Sequence, residues 1–140
     1  MKRICSFTLV LILLVLVVTP CFAAQNDTPA VTPRYTYIQT NTVSFTINES
    51  SGVATSSAGC YTYGDYEVQI TLKLQRYNNS KWNTVKTWTT SGMRDAVIGK
   101  TWAIPSGYTY RAHATFNIYD DNGNLIETAT GSKSAYFPKN

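Results

Sequence analysis

From Tyr66 to Gln75 every even position is apolar or aromatic and every odd one polar, and from Tyr108 to Tyr119 the alternation returns in the same phase. Successive side chains of a strand point to opposite sides, so each run predicts a long half-buried β-strand. Two such strands need a common interior. If they also pair, their wet flank gathers Glu67, Gln69, Thr71 and Lys73 beside Arg111, His113 and Tyr119.

Shorter runs separated by turn residues fill the rest. Val43, Phe45 and Ile47 alternate before Asn48-Glu49-Ser50-Ser51-Gly52, and Val53 to Tyr61 is an Ala- and Ser-rich run suited to a tight site facing large side chains. Tyr77-Asn78-Asn79-Ser80 has turn chemistry. Trp82, Val85 and Trp88 then come at a spacing of three, which breaks the two-residue period. Either a β-bulge resets the phase or one tryptophan faces solvent; the reading here puts Trp82 and at least one other tryptophan in the core. Ser91-Gly92 is expected to open a loop before a run from Ala96 to Ile104. Asp120-Asp121-Asn122-Gly123-Asn124 is a hairpin signal in which Asn-Gly takes up positive φ. The last strand is expected to break at Gly131.

Seven strand candidates without a helical period predict an all-β fold, an antiparallel two-sheet immunoglobulin-like sandwich of about seven strands. The segment Ile104-Pro105-Ser106-Gly107-Tyr108-Thr109-Tyr110 resembles the tyrosine corner of fibronectin-type and immunoglobulin-like domains, with Tyr110, or else Tyr108, carrying the corner hydroxyl.

Lys2 and Arg3, the apolar run Ile4 to Val18, Pro20 and the small residues Ala23 and Ala24 read as a secretory signal peptide over residues 1–23. A disordered leader is expected over 24–33 and the sandwich over 34–138. The whole chain carries a net charge of +4; Lys2 and Arg3 leave with the signal peptide, so +2 remains. That balance does not indicate nucleic acid. Cys5 and Cys21 also leave, and Cys60 alone cannot form an internal disulfide. It reads as a buried strand residue, with pairing to a second chain as the alternative.

Pro33-Arg34-Tyr35-Thr36-Tyr37-Ile38, Leu72-Lys73-Leu74-Gln75-Arg76 with Trp82, Val85 and Trp88, and Ser106-Gly107-Tyr108-Thr109-Tyr110-Arg111 give the chain from about Pro33 to Tyr136 its likeness to a family. It resembles small exported proteins of Gram-positive bacteria that have no assigned function. The resemblance implies the sandwich and an exported location, and brings no catalytic or binding residue.

No catalytic constellation stands out. Cys60 and His113 are the one thiol and one imidazole left after export; their strands are expected in opposite sheets, with His113 on the polar face of its strand and Cys60 turned inward. The acids, Glu67 and Glu127 apart, fall in turns. Asp120, Asn122 and Asn124 alternate as calcium ligands do, but the glycine comes too early and no closing glutamate follows. The expectation is therefore no enzyme, no metal and no cofactor. What remains is recognition: ten tyrosines and three tryptophans are many for a chain of 140 residues, and exposed rings bind sugar faces or protein partners. The candidate ligand-binding residues are Tyr119, Arg111, His113 and Trp88. The function expected is a secreted, extracellular binding domain, monomeric and not membrane-inserted once processed, for an unknown cell-surface protein or glycan. The alternative is a carbohydrate-binding module using exposed rings.

Overall fold

The computed structural model describes residues 34–139; the expected signal peptide and leader lie outside the described residues. Seven strands follow one another: β1 (Ile38–Asn48), β2 (Val53–Thr62), β3 (Glu67–Asn78), β4 (Lys81–Met93), β5 (Asp95–Ala103), β6 (Tyr108–Tyr119) and β7 (Leu125–Phe137). They form two antiparallel sheets ordered β1-β2-β5 and β4-β3-β6-β7. This is the expected immunoglobulin-like sandwich, with the fourth strand on the larger sheet rather than beside β5 as in antibody constant domains. Among the described residues there is no helix.

The two long alternating runs are the centre of the larger sheet. β3 and β6 pair along their whole length, Glu67 opposite Tyr119 and Tyr77 opposite Thr109. Their even residues Val68, Ile70, Leu72, Leu74, Tyr110, Ala112, Ala114, Phe116 and Ile118 are fully buried. Across the sandwich β2 supplies Ala54, Ser56, Ala58 and Cys60, small enough for the large side chains of β3 and β6 to reach the opposite sheet. The Tyr110 hydroxyl, at the end of that core, donates to the Pro105 carbonyl oxygen at 2.9 Å. Tyr110 is therefore the corner tyrosine.

The structure departs from the sequence reading where backbone geometry, not polarity, decides. The phase reset in β4 is a bulge at Val85: Leu74 lies opposite Lys86, but Gln75 lies opposite Thr84. Trp88, opposite the buried Leu72, turns inward, while Trp82, opposite Tyr77, is on the outer face rather than in the core. The tight hairpin turn with two positive φ angles is Asn79-Ser80, at 51° and 60°. Asp120–Asn124 is a longer loop in which only Gly123 has positive φ, and the Gly123 amide donates to the Asp120 carbonyl.

No loop opens at Ser91-Gly92. β4 runs on to Met93, and the single residue Arg94, at φ 68°, carries the chain from one sheet to the other. Gly92 makes that corner possible, because a Cβ there would run into the Asp95 carbonyl oxygen. Nor does β7 break at Gly131: the strand is continuous, and the missing side chain makes room for Val43 of β1, whose Cγ2 would lie 2.9 Å from an added Cβ.

Candidate ligand-binding face

With the even residues of β3 and β6 buried, their odd residues turn outward and the sheet's outer face can be laid out from the strand register. Rows of side chains run across the four strands about 4.8 Å apart, and successive rows lie about 7 Å apart along them. At one end the row is Trp82, Tyr77, Thr109 and Tyr136, in the order β4, β3, β6, β7. Next come Thr84, Gln75, Arg111 and Ser134, then Thr87, Lys73, His113 and Ser132. The following row is threonine on every strand: Thr89, Thr71, Thr115 and Thr130. The far end holds Met93, Glu67, Tyr119 and Leu125.

Arg111 is the best-fixed cation on this face. Its Nε donates to the Gln75 Oε1 at 2.8 Å, and Gln75 in turn donates through Nε2 to the Thr84 hydroxyl at 3.2 Å. The guanidinium carbon lies 4.2 Å from the centre of the Trp82 ring, a cation–π contact that holds its plane. Among the described residues the one ion pair is Arg94 with Asp65, at 3.7 Å, so neither Arg111 nor Lys73 has a carboxylate partner there. The acids of the face lie at the other end, where Glu67, Met93, Asp120, Asp121 and Gly123 line a depression of about 330 Å³. The face is thus polarised, basic toward the aromatic row and acidic toward the β6–β7 loop.

His113 lies between Lys73 on β3 and Ser132 on β7. It is on the outer face as expected but half-buried, and its Nδ1 is buried without a hydrogen-bond partner. Burial first, then the charges of Arg111 and Lys73, hold its pKa below the ordinary 6.5. The unfolded chain therefore takes up this proton before the folded one does. Stability is complete above the ordinary value and falls as pH drops from there toward the lowered one. The melting temperature is expected to decline from about pH 7.5 to about pH 5, and His113→Thr should reduce that decline. Equal declines in the two proteins would show that His113 is not the group responsible.

The structure brings together two of the four residues singled out from the sequence, Arg111 and His113. Tyr119 shares their face, with its hydroxyl 3.4 Å from Gln69 Oε1, but eight residues along the strand, roughly 27 Å from Arg111. Trp88 belongs elsewhere. It packs against the core and lies edge-on to Trp102, ring centres 6.3 Å apart, at the rim between β4 and β5. Lys86 sits 4.7 Å above Trp102, which is 41% exposed. The three tryptophans are therefore not all buried, yet they form no single row.

Sequence reasoning missed Gln75 and Trp82 as the residues that hold Arg111. The odd phase of Gln75 was visible, but Trp82 could be placed beside Arg111 only with the bulge at Val85 located.

Cys60 and His113 cannot meet. Cys60 is fully buried between the sheets, its thiol pushed up to about 11 by burial and by the nearby charge of Glu127, while His113 lies on the far side of the β6 backbone. The Asp120 carboxylate is taken up by its own turn: Oδ1 accepts from the amides of Asn122 at 2.9 Å and Asn124 at 2.8 Å, and Oδ2 from the Asn124 side chain at 3.0 Å. Those bonds, the Asn124 side chain's first, hold its pKa below the usual carboxylate value.

No family model matches the chain, and no curated protein matches it. Among solved structures it is similar to a Bordetella pertussis protein given as ApaA, known from a crystal structure, with 14% identity and a TM-score of 0.36 over 77% of this chain and 100% of that one. A superposition that loose carries no argument about either protein's role.

Proposed function

We propose that this protein is a secreted, non-catalytic recognition domain that binds an extracellular or cell-surface ligand on the outer face of the β4-β3-β6-β7 sheet. The observation that carries the reading is Arg111, held by Gln75 and Trp82 on an open face and, among the described residues, without a carboxylate partner. A guanidinium whose plane is already fixed loses little conformational freedom when it binds. Export is supported by the basic, apolar and small residues of the N-terminal segment, and the likeness to small exported Gram-positive proteins belongs to the same reading.

The test is retention of the labelled, purified protein on bacterial cell-wall preparations and on immobilised extracellular proteins and glycans. Arg111→Gln should weaken retention about tenfold, the worth of one charge-assisted contact. Thr55→Gln, on the outer face of the opposite sheet, should leave it unchanged. Equal retention of wild type and Arg111→Gln, at matched melting temperatures, would overturn the reading.

A further inference from the structure

The rows of this face say more about the ligand than that it is bound. Tyr77 and Tyr136 are 45% and 59% exposed and stand in one row with Thr109 between them, two strand spacings or about 10 Å apart. Two rings at that separation can each cover one sugar ring of an extended chain lying across the strands. One row away, about 7 Å along the strands, Arg111 lies on the same strand as Thr109, between the two tyrosine strands, and Lys73 follows in the next row. A chain stacked on the aromatic row thus presents whatever its rings carry on that side to Arg111, and Lys73, about 14 Å from the row, adds a second positive charge behind it; neither cation has an acid partner among the described residues. The surrounding side chains are mostly hydroxyls, which exchange hydrogen bonds with sugar hydroxyls in both directions.

A protein partner fits less well. Protein interfaces are anchored by apolar groups buried at their centre, and the centre of this face is a row of threonines.

We infer that the ligand is an acidic polysaccharide, its rings stacked on Tyr77 and Tyr136 and its carboxylate or sulfate groups bound by Arg111, with Lys73 adding to the attraction. This rests on the recognition reading given above and adds the chemistry of the ligand.

The experiment is affinity electrophoresis of the purified protein through gels containing polygalacturonate, dextran sulfate, neutral dextran or polyglutamate. The expected result is retardation by polygalacturonate, dextran sulfate or both, and by neither of the others; which of the two retards the protein tells carboxylate from sulfate. Arg111→Gln and Tyr136→Ala should each weaken it about tenfold and Lys73→Gln by a smaller factor, with melting temperatures showing that the variants fold.

Polyglutamate retarding the protein as strongly would reduce the site to charge alone and overturn the saccharide. Retardation by neutral dextran, unaffected in the two charge variants, would overturn the acidic group. If no polymer retards the protein while Arg111→Gln still weakens retention on cell walls or extracellular proteins, the polysaccharide inference fails and the recognition reading stands. If Arg111→Gln changes neither assay, both fail.

Discussion

Replacing Leu72 by alanine is expected to cost about 2 to 5 kcal/mol of unfolding free energy, while Lys73→Ala, one residue along, should stay within about 0.5 kcal/mol of wild type. Leu72 is fully buried on a central strand, with Trp88 opposite on β4 and Ala114 opposite on β6. Ala114 is too small to refill the space. Trp88 is pinned on its other side by the β4–β5 rim, where it meets Trp102. The cavity left by truncation therefore stays largely open, which puts the cost toward the upper part of the range for such substitutions. Lys73 projects from the other side of the same strand into a row of polar side chains, and its loss removes no packed volume. Urea unfolding of both variants measures the difference. Comparable costs would mean that β3 is not half-buried in this phase, and the layout of the binding face would fall with it.

That single contrast also shows what was legible in the chain. Wherever polarity alone sets which side a residue takes, the alternation places it correctly: the buried and wet sides of β3 and β6 follow from a period of two, and once the sandwich topology pairs the two strands, Lys73, His113 and Arg111 share one outer flank. The tyrosine corner is legible for another reason, since an apolar residue, Pro and Gly ahead of Tyr110 form a local pattern whose hydrogen-bond partner is only five residues away.

The rest was hidden because it depends on backbone events that leave little trace in polarity. The bulge at Val85 turns Trp82 outward and Trp88 inward, and no alternation of side chains says on which of the intervening residues the phase slips. Arg94 turns the chain between sheets in a left-handed conformation that non-glycine residues seldom adopt, so the sequence suggests a longer loop there. Gly131 looks like a strand break because glycine weakens strands in general; only the position of Val43 shows that it makes room for a neighbouring strand instead. The candidate site suffered from the same hidden bulge. Phase places Arg111 and His113, but the sequence offers Trp88 as a ligand-binding residue and Trp82, which holds Arg111, as part of the core.

Glu127 is the residue whose importance the sequence concealed most, and its replacement is the second large effect expected. Its carboxylate accepts three backbone amides from the segment leading into β1: Thr36 on Oε1 at 2.7 Å, and Tyr37 and Ile38 on Oε2 at 3.0 and 2.8 Å. Backbone donors carry no side-chain signature, so nothing in the sequence pairs Glu127 with residues some ninety positions earlier. Its placement also follows from an irregularity, because the β6–β7 register shifts between Ile118 and Tyr119, next to where Glu127 lies opposite Ile118. Glu127→Ala strands the two half-buried donors of Tyr37 and Ile38 at about 1 to 3 kcal/mol each, a loss of roughly 2 to 6 kcal/mol. Glu127→Gln should recover a good part of that loss, because its amide oxygen can take the place that accepts from Tyr37 and Ile38 while its NH₂ faces only the exposed amide of Thr36. Release of the segment uncovers Cys60, which packs in the same cluster as Tyr35, Tyr37 and Ile38. Loss of the carboxylate charge also removes one of the two causes that raise the thiol's pKa. Both variants should therefore label faster at Cys60 with a thiol reagent under native conditions, as mapped by peptide mass, and should unfold at lower urea, Glu127→Ala by the larger margin. Wild-type stability together with wild-type labelling would mean that the start of β1 is held by its side chains alone and that the carboxylate clamp contributes nothing.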